Sequence, residues 1–564
     1  MKRVIRMMAC IAIIVSVLGC TQGEKGSAPT TSAATGERPN IVLIMADDMG
    51  YSDIGCYGGE ISTPTLDALA GDGLRFTQFY NTARCCPTRA SLMTGLYPHQ
   101  AGIGHMMYSV GLPGYEGDLS ANSVTIAEVL KTAGYNTLMS GKWHVTKQVG
   151  YWTQEEDLQS KHNWPRQRGF DEFFGTIHGA GSFWDPITLT RDNTPIRAEG
   201  DEFHYTDAIA DNGVNFIEEY AAQDAPFFLY LPFTSPHWPL HAFEEDIARY
   251  ENTYDIGYDK LRDNRRQRMI EMGIINADWP LTPRDDRVEP WEDRPNKEWE
   301  ARRMAVYAAQ ITQMDRAIGR VVDKLKELQI LDNTLIMFLA DNGGCAEILR
   351  DNGNPRAIHT PYRTRDGRTV RFGNDPDIMP GPTDTYQSYG PPWANASNTP
   401  FRLYKHWVHE GGIATPLIVH WPAQLKGAGS LNEGPGHLID IMATCIDAAG
   451  AEYPATYKGN AITPLEGKSL LPVVTTGERQ GHDAIYWEHE GNRAVRQGDW
   501  KLVARNRNEW ELYNINEDRT EMNNLASQQP DKVRELTALY EAYAARSQVV
   551  DYDTMRKRAQ GQTY

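Results

Sequence analysis

The sequence is poor in three things: cysteine, positive charge and long hydrophobic runs. Seven cysteines in 564 residues are too few for a fold held together by disulfides. Lysine and arginine total 56 against 74 aspartates and glutamates, and the net charge of −18 argues against nucleic acid as a partner, which requires a broad basic face. After residue 20, no apolar run is long enough for a transmembrane helix. An anionic substrate remains compatible if positive charge is concentrated in one pocket.

The first 20 residues predict export. A basic start and an apolar run over residues 7–18, too short to span a bilayer, are typical of a signal peptide. The run ends in Val17-Leu18-Gly19-Cys20, which resembles a bacterial lipobox, so that Cys20 would carry a lipid. Residues 21–38 are rich in Thr, Ser, Gly and Ala and fit a flexible tether. We expect an exported bacterial protein, held by this N-terminal lipid anchor in the periplasm or at the cell surface. The alternative is ordinary cleavage and a free enzyme.

Short, nearly continuous apolar runs alternate with helical patterns along most of the chain. The runs are typical of strands buried on both faces of a sheet, and they are Ile41–Ala46, Thr137–Ser140, Phe227–Phe233, Thr334–Ala340 and Thr415–Trp421. Helical patterns between them include Thr65–Leu74, Thr125–Ala133 and Met304–Leu328. This alternation predicts an α/β fold over residues 39–475, with a large, mostly parallel sheet flanked by helices.

The pattern changes after residue 475. Alternating runs at 484–489, 493–496, 500–504 and 510–513 predict a small antiparallel sheet. Pro530–Arg546 has the pattern of an amphipathic helix with proline at its start. We therefore predict a smaller C-terminal α+β subdomain and tail over residues 476–564.

Polar side chains follow four of the predicted strands. Asp47-Asp48 and Asp341-Asn342 come directly after two of them, and Lys142, His144 and His237 come just after two others. One such pair is ordinary turn chemistry, but ligands of α/β sheets bind beyond the carboxyl ends of the strands, and four such ends indicate one site. Carboxylate and amide oxygens suit Ca²⁺ or Mg²⁺ better than zinc.

The most informative stretch is Cys85-Cys86-Pro87-Thr88-Arg89, followed by Ala90-Ser91-Leu92-Met93-Thr94-Gly95. Pro87 is predicted as the first residue of a helix, where its missing N–H costs nothing. Cys85 would then lie where unpaired backbone N–H groups attract anions. Arg89, one turn further along, is placed to orient Cys85 or to bind a charged oxygen.

These motifs, with Gly141-Lys142-Trp143-His144, Ser235-Pro236-His237 and the stretch from Asn398 to Lys405, resemble the type I sulfatases, and the resemblance is nearest to the bacterial arylsulfatases. It implies an alkaline-phosphatase-like fold and conversion of Cys85 to formylglycine (3-oxoalanine) by a maturation enzyme. It also implies one divalent cation, usually Ca²⁺ with Mg²⁺ as the alternative, bound by Asp47, Asp48, Cys85 after its conversion, Asp341 and Asn342. The catalytic residues that it implies are Cys85, Arg89, Lys142, His144, His237 and Lys405.

The expected reaction is hydrolysis of a sulfate monoester, either an aryl sulfate or a sulfated carbohydrate, to sulfate and an alcohol or phenol. The first alternative is a phosphate or phosphonate monoester hydrolase of the alkaline phosphatase type, which would require an unmodified Ser or Thr nucleophile or additional His ligands for zinc. The second is a non-catalytic lipoprotein that binds sulfated glycans.

Overall fold

The computed structural model describes residues 38–147, 160–350 and 360–560. The predicted signal peptide, the lipid-anchored Cys20 and the tether up to residue 37 lie outside the described residues. Within the described ranges, no helix is both long enough and apolar enough to cross a bilayer. The cysteines at 56, 85, 86, 345 and 445 are free and buried.

The described strands, in chain order, belong to one large sheet, a four-stranded sheet near the C-terminus and short hairpins or pairs. They are β1 Asn40–Ala46, β2 Leu74–Tyr80, β3 Asn136–Lys142, β4 Glu172–Thr176, β5 Leu189–Arg191, β6 Thr194–Pro195, β7 Phe227–Pro232, β8 Thr334–Ala340, β9 Arg371–Phe372, β10 Thr385–Tyr386, β11 Ala414–His420, β12 Ser430–Asn432, β13 Gly436–His437, β14 Thr456–Tyr457, β15 Asn460–Ala461, β16 Ile485–His489, β17 Asn492–Gln497, β18 Trp500–Ala504 and β19 Glu511–Asn514.

The described α-helices pack on the faces of the sheets or link the strands. They are α1 Pro64–Gly71, α2 Cys85–Thr94, α3 Ile126–Thr132, α4 Tyr205–Tyr220, α5 Glu244–Ala248, α6 Gly257–Glu271, α7 Lys297–Glu327, α8 Gly390–Ser397, α9 Glu410–Ile413, α10 Ile439–Ala449, α11 Leu471–Thr476, α12 Pro530–Arg546 and α13 Tyr552–Gln560.

The large sheet has the strand order β12-β2-β11-β8-β1-β7-β3-β4-β5-β6, with β13 also paired to β2. Strands β8, β1, β7, β3 and β4 are parallel to one another, so the predicted mostly parallel α/β sheet is confirmed. The run predicted at Thr415–Trp421 is β11, which is antiparallel to both β8 and β2. The sheet is therefore mixed at this side.

Alternate residues of the central strand face two different cores, as a doubly wound sheet requires. Val42 and Ile44 pack in one cluster with α1, α4 and α7, whereas Ile41 and Leu43 pack in the other with α2, α3, α10 and α12. Every residue of β1 after Asn40 is fully buried. Burial on both faces explains why these strands are continuous apolar runs in the sequence.

One predicted helix end and two predicted helix starts are wrong. Helix α1 ends at Gly71 rather than at Leu74, which instead begins β2. Helix α7 begins at Lys297, seven residues before the predicted start at Met304, because Asn296 adopts a left-handed conformation (φ 54°) directly before it and Trp299 and Glu300 are buried in the added turns. Helix α2 begins at Cys85 rather than at Pro87. Pro87 remains in the first turn, where its missing N–H still has no intrahelical acceptor to lose.

The C-terminal prediction is confirmed in its elements. Strands β16 to β19 form an antiparallel sheet in sequential order, and α12 spans Pro530–Arg546 as predicted. The helix packs against β17 and β18, with Leu536 and Tyr543 buried. The boundary between residues 475 and 476 stays a prediction.

Candidate active site

The carboxyl ends of β1, β3, β7 and β8 meet at one edge of the sheet because these strands are parallel. Asp47 and Asp341 are the first residues after β1 and β8. The Asp341 N–H donates to the carbonyl of Ala46 (3.1 Å), and the Asp47 N–H donates to that of Ser235, beyond β7 (3.0 Å). The backbone therefore fixes the three loops that carry the predicted carboxylates and His237.

The four predicted oxygen ligands are fully buried, and hydrogen bonds link three of them. The backbone N–H of Asp48 donates to Asp341 Oδ1 (3.1 Å), and Asn342 Nδ2 donates to Asp48 Oδ1 (2.7 Å). Asp48 has a left-handed backbone conformation (φ 64°), which is uncommon outside glycine. The sharp turn aims Asp47 and Asp48 into the same space from adjacent positions.

Cys85 is the first residue of α2 and its side chain is buried. The preceding loop is fixed by Thr88, whose hydroxyl accepts from the Thr82 N–H (3.1 Å) and lies 2.9 Å from the Thr82 hydroxyl. A hydrogen bond with Cys86 holds the pKa of the Cys85 thiol well below its ordinary value, against the opposing effect of burial and with the help of His144. The structure thus places the sulfur at a helix start in a positively charged environment.

Arg89 joins the helix of Cys85 to the carboxylates. Its Nε and Nη2 donate to Asp341 Oδ2 (3.1 and 2.8 Å), and its Nη2 lies 3.6 Å from Asp47 Oδ1. Its Nη1 also donates to the carbonyl of Lys142 (3.2 Å). The fully buried guanidinium is therefore rigidly held, as a group that orients charged oxygens must be.

Two lysines and a histidine complete the contacts to the acidic pair. Lys142 Nζ donates to Asp47 Oδ2 (2.5 Å), and Lys405 Nζ donates to Asp48 Oδ2 (2.8 Å). His237 Nε2 lies 3.3 Å from Asp48 Oδ2, and its Nδ1 is 2.6 Å from the carbonyl of Trp238. Lys405, which only the family resemblance predicted, does reach the site.

His144 lies on the other side of Cys85. Burial holds the pKa of His144 well below its ordinary value, while Cys85, in hydrogen-bond contact with it, acts in the opposite direction. The ring of His178 is 6.0 Å away, centroid to centroid. A Cβ at Gly179 would lie 2.1 Å from His144 Nε2, so this glycine makes room for the imidazole.

All ten predicted site residues therefore come together at this edge of the sheet. They are Asp47, Asp48, Cys85, Arg89, Lys142, His144, His237, Asp341, Asn342 and Lys405.

The donor set fits a divalent cation. Asp47 Oδ1 and Asn342 Oδ1 are buried without a hydrogen-bond partner, although buried polar atoms are nearly always paired. Burial and the neighbouring Asp47 carboxylate raise the pKa of Asp341 to about 8. A cation between these oxygens would pair the free atoms and offset the repulsion. His237 also comes within ligand distance of Asp47 and Asp48, but oxygen atoms predominate in the set, which favours a hard ion.

Glu347 is a member of the site that the sequence analysis missed. Its Oε1 accepts from Arg84 Nη1 (2.9 Å), next to Cys85, and its Oε2 accepts from Trp238 Nε1 (2.8 Å), next to His237. The side chain is half-buried, and the nearby Lys405 and Arg84 lower its pKa against the opposing effect of that burial. The sequence offered one signal for Glu347: it lies on the loop after β8, six residues beyond Asp341.

Comparisons with known proteins agree with this geometry. The family model described as "Sulfatase" matches residues 39–451, and a second model, described as "N-sulphoglucosamine sulphohydrolase, C-terminal", matches residues 401–542. An arylsulfatase of Klebsiella aerogenes is 35% identical over 458 residues, covering 78% of this chain and 93% of its own length. An uncharacterised sulfatase of Schizosaccharomyces pombe is 32% identical and covers 92% of this chain and 95% of its own.

A solved structure extends the comparison to the fold. BT4656, in complex with its substrate D-glucosamine-2-N,6-O-disulfate, superimposes with a TM-score of 0.60 at 21% identity, covering 92% of this chain and 99% of that protein. At this identity the likeness establishes a shared fold.

Proposed function

This chain belongs to the sulfatase family and is an enzyme of sulfate ester hydrolysis, and on this basis we propose how its own residues carry out the reaction. The nucleophile is a formylglycine made from Cys85 by a maturation enzyme. A single Ca²⁺ ion, with Mg²⁺ as the alternative, is bound by the oxygen atoms of Asp47, Asp48, Asp341, Asn342 and the converted residue 85.

The observation that carries this proposal is the position of Cys85. Its buried side chain lies at the start of α2, with Arg89, Lys142 and Lys405 bound to the carboxylates around it. A sulfate monoester is anionic, so a pocket that cleaves it must neutralise the ester oxygens while holding sulfur in line with the nucleophile. Three cations together with a metal ion supply that charge.

The hydrate of an aldehyde supplies both an attacking hydroxyl and a second hydroxyl whose deprotonation releases sulfate, a route that a thiol lacks. The cation, when bound, polarises the sulfate oxygens. We assign to Asp341 the role of accepting the proton of the attacking hydroxyl, since it lies with Arg89 beside residue 85.

The histidines divide the remaining proton transfers. We assign His237 Nε2, together with Lys405, to the leaving oxygen, because both lie at Asp48 on one side of the pocket. His144, in contact with residue 85, is assigned to the proton removal that regenerates the aldehyde. Arg89 and Lys142 orient the nucleophile and the sulfate group.

Mass spectrometry of the tryptic peptide that contains residue 85 tests the proposal, with protein from an export-competent host that contains a formylglycine-generating enzyme. We expect loss of the thiol and gain of an aldehyde at Cys85, with Cys86 unchanged. Cys85→Ala should be inactive, and Cys86→Ala is the matched control because it lies next to the same helix start. Fully active enzyme with an unmodified Cys85 would overturn the mechanism.

Nitrophenyl sulfate and nitrophenyl phosphate, compared at equal concentration, separate a sulfatase from a phosphomonoesterase. We expect the sulfate ester to be hydrolysed with the higher kcat/KM. A panel of defined sulfated sugars and aryl sulfates then identifies the substrate class, since both classes fit a pocket that recognises the sulfate group.

We also propose that the protein is exported and anchored by a lipid at Cys20. Metabolic labelling with a fatty acid should label the full-length protein and should not label Cys20→Ala. Secretion of the unlabelled wild-type protein would instead indicate ordinary signal-peptide cleavage.

A further inference from the structure

A second group of metal-ligating side chains lies where the C-terminal sheet meets the loop that carries Lys405. His489 and Glu490 are at the turn between β16 and β17, and His406 follows Lys405 in the chain. His105 comes from the segment after α2. We call these four residues, His105, His406, His489 and Glu490, the histidine cluster.

His406, His489 and Glu490 each offer one ligand atom, and these atoms lie within 4.8 Å of one another; His105 approaches the same carboxylate. Glu490 Oε1 lies 3.2 Å from His105 Nδ1, and Glu490 Oε2 lies 3.3 Å from His406 Nδ1. His489 Nε2 is 3.9 Å from Glu490 Oε1. Ligand atoms around a tetrahedral Zn²⁺, with bonds of about 2.0–2.1 Å, are about 3.3 Å apart. Two of the contacts match this spacing, and a small side-chain movement would bring His489 to it.

Hydrogen bonds engage one nitrogen of each of two rings: His105 Nε2 lies 2.5 Å from the Tyr108 hydroxyl, and His406 Nε2 lies 3.3 Å from Asn492 Nδ2. Neither ring nitrogen of His489 has a hydrogen-bond partner, nor does His105 Nδ1. His489 is fully buried, so solvent does not satisfy it. Such orphaned nitrogens are costly in a folded protein, and a metal ion beside Glu490 would pair that of His105 and one of those of His489.

The local charges favour a cation. The carboxylates of Glu488 and Glu347 face Glu490, as does the guanidinium of Arg84. Arg84 is paired to Glu347 (2.9 Å) and His99 to Glu488 (2.9 Å), so Glu490 is the carboxylate that a bound cation would neutralise.

The backbone at the cluster is held in unusual conformations. Glu490 and Gly491 both have positive φ (51° and 82°), as a two-residue turn between antiparallel strands requires. His406 has φ 91°, and its N–H donates to the carbonyl of Ala83 (2.7 Å). Non-glycine residues persist in this region of φ where the surrounding structure enforces it, commonly at functional sites.

We propose that the histidine cluster binds a divalent transition-metal ion, with Zn²⁺ as the expected occupant, at a site separate from the catalytic cation. Imidazole nitrogens with one carboxylate are a ligand set that suits zinc, whereas the oxygen atoms at Asp47 and Asp48 suit calcium. The ion would connect the β16–β17 turn to the loop of Lys405 and to the segment after α2. Its role is therefore to brace the loop that supplies an active-site lysine.

Zinc binding to the full-length chain tests this inference without reference to activity. Cys85, Cys86 and His144 form another set of side chains within ligand distance, so the experiment uses a Cys85→Ala background, which disrupts that set. Excess Ca²⁺ occupies the oxygen ligands of the catalytic centre. After dialysis against micromolar free Zn²⁺, we expect about one zinc per chain by inductively coupled plasma mass spectrometry. Zinc should also raise the unfolding temperature by at least ~2 °C.

Glu490→Gln and His489→Ala should each weaken zinc binding at least about tenfold and abolish the thermal shift. His99→Ala is the matched control, since His99 pairs with Glu488 (2.9 Å) on the same two elements but stands outside the cluster; it should retain zinc. Wild-type-like zinc content in Glu490→Gln, or no zinc bound to the Cys85→Ala parent, overturns the proposal. Because neither result depends on turnover, they leave the proposed catalytic function untouched.

Discussion

Asp341 in the catalytic centre and Glu410 in a second buried cluster of opposite charges have pKa values shifted in opposite directions. In the catalytic centre, burial and the neighbouring Asp47 raise the pKa of Asp341 to about 8, beyond what Arg89 compensates. In the second cluster, Lys501 and Arg519 outweigh burial and lower the pKa of Glu410 to about 2. Both carboxylates are fully buried.

The second cluster joins the large sheet to the C-terminal sheet with each charge closely paired. Lys501 Nζ lies 2.8 Å from Glu410 Oε1 and 2.9 Å from Glu521 Oε1, and Arg519 Nε lies 2.9 Å from Glu410 Oε2. The catalytic centre also has as many cations as carboxylates, and each cluster keeps buried atoms without a hydrogen-bond partner: Asp47 Oδ1 and Asn342 Oδ1 in the catalytic centre, and Glu521 Oε1 and Arg519 Nη2 in the second. The difference therefore lies in the pKa shifts: the partners of Glu410 stabilise its charged form, whereas the raised pKa of Asp341 indicates a site that a further cation can occupy.

The largest expected effect comes from replacing the carboxylate of the catalytic centre. Asp341→Asn should lower kcat/KM by about 10⁴-fold or more, because it removes a metal ligand, a proton acceptor and the partner of Arg89. The unfolding free energy measured without metal should hardly change. Arg89 retains Asp47 as a partner at 3.6 Å, and the variant lacks the Asp341 carboxylate, which the Asp47 carboxylate repels. Kinetics and urea denaturation measure both quantities, and a stable, fully active variant would contradict the assignment.

His237→Ala should affect substrates unequally. General acid catalysis contributes about 10²–10⁴-fold and matters most for alcohols that leave poorly, whereas a nitrophenol leaves readily without a proton. The loss should therefore be largest for sugar sulfates and small for nitrophenyl sulfate. His178→Ala, which removes a neighbouring buried imidazole that contacts His144, is the control. Equal losses by His237→Ala across a leaving-group series would refute the role of His237.

Breaking the second cluster should cost stability rather than catalysis. Glu410→Gln leaves Lys501 and Arg519 buried with less compensation, and loss of one partner of a buried pair typically costs about 3–5 kcal/mol. Denaturant unfolding of the variant and the wild type gives this difference directly. The kcat of the remaining folded enzyme should stay close to that of the wild type, and a selective loss of turnover would show that the two clusters are not separate.

The stability of the wild type should depend on pH through Glu410. Its folded pKa, about 2, lies below the ordinary value of 4.5, so the unfolded chain binds the proton first as the pH falls. The contribution of Glu410 is therefore complete above pH 4.5 and is lost between pH 4.5 and about 2, by about 3 kcal/mol in total. Unfolding free energies at several pH values should show a shallower decline in Glu410→Gln than in the wild type; parallel curves would contradict the prediction.

Calcium should stabilise only through the catalytic centre. At a free Ca²⁺ concentration of about 100 times Kd, binding to the folded state alone adds about 2.7 kcal/mol to the unfolding free energy. We expect this gain after treatment with a calcium-selective chelator and readdition of the ion, and we expect Asp341→Asn to lose most of it. Glu410→Gln should retain the full gain, and an equal calcium effect in all three proteins would place the ion elsewhere.

Much of the catalytic centre was predictable because short segments carry it. The pairs Asp47-Asp48 and Asp341-Asn342 directly follow strands whose apolar runs are evident, and parallel strands necessarily bring their carboxyl ends to one edge. The start of α7 was mispredicted because the turns before Met304 are buried by tertiary contacts at Trp299 and Glu300. Glu347 was missed because a glutamate in a loop is ordinarily a solvated charge.

The sequence by itself determined the kinds of groups at the site and the strands that deliver them, because burial on both faces of a sheet requires continuous apolar runs. The pairings across long separations were decided by tertiary structure alone. Lys405 reaches Asp48 across 357 positions and Lys501 reaches Glu410 across 91, and no local periodicity records such contacts. The same holds for His489 and Glu490, which only the packing of the C-terminal sheet brings to His105 and His406.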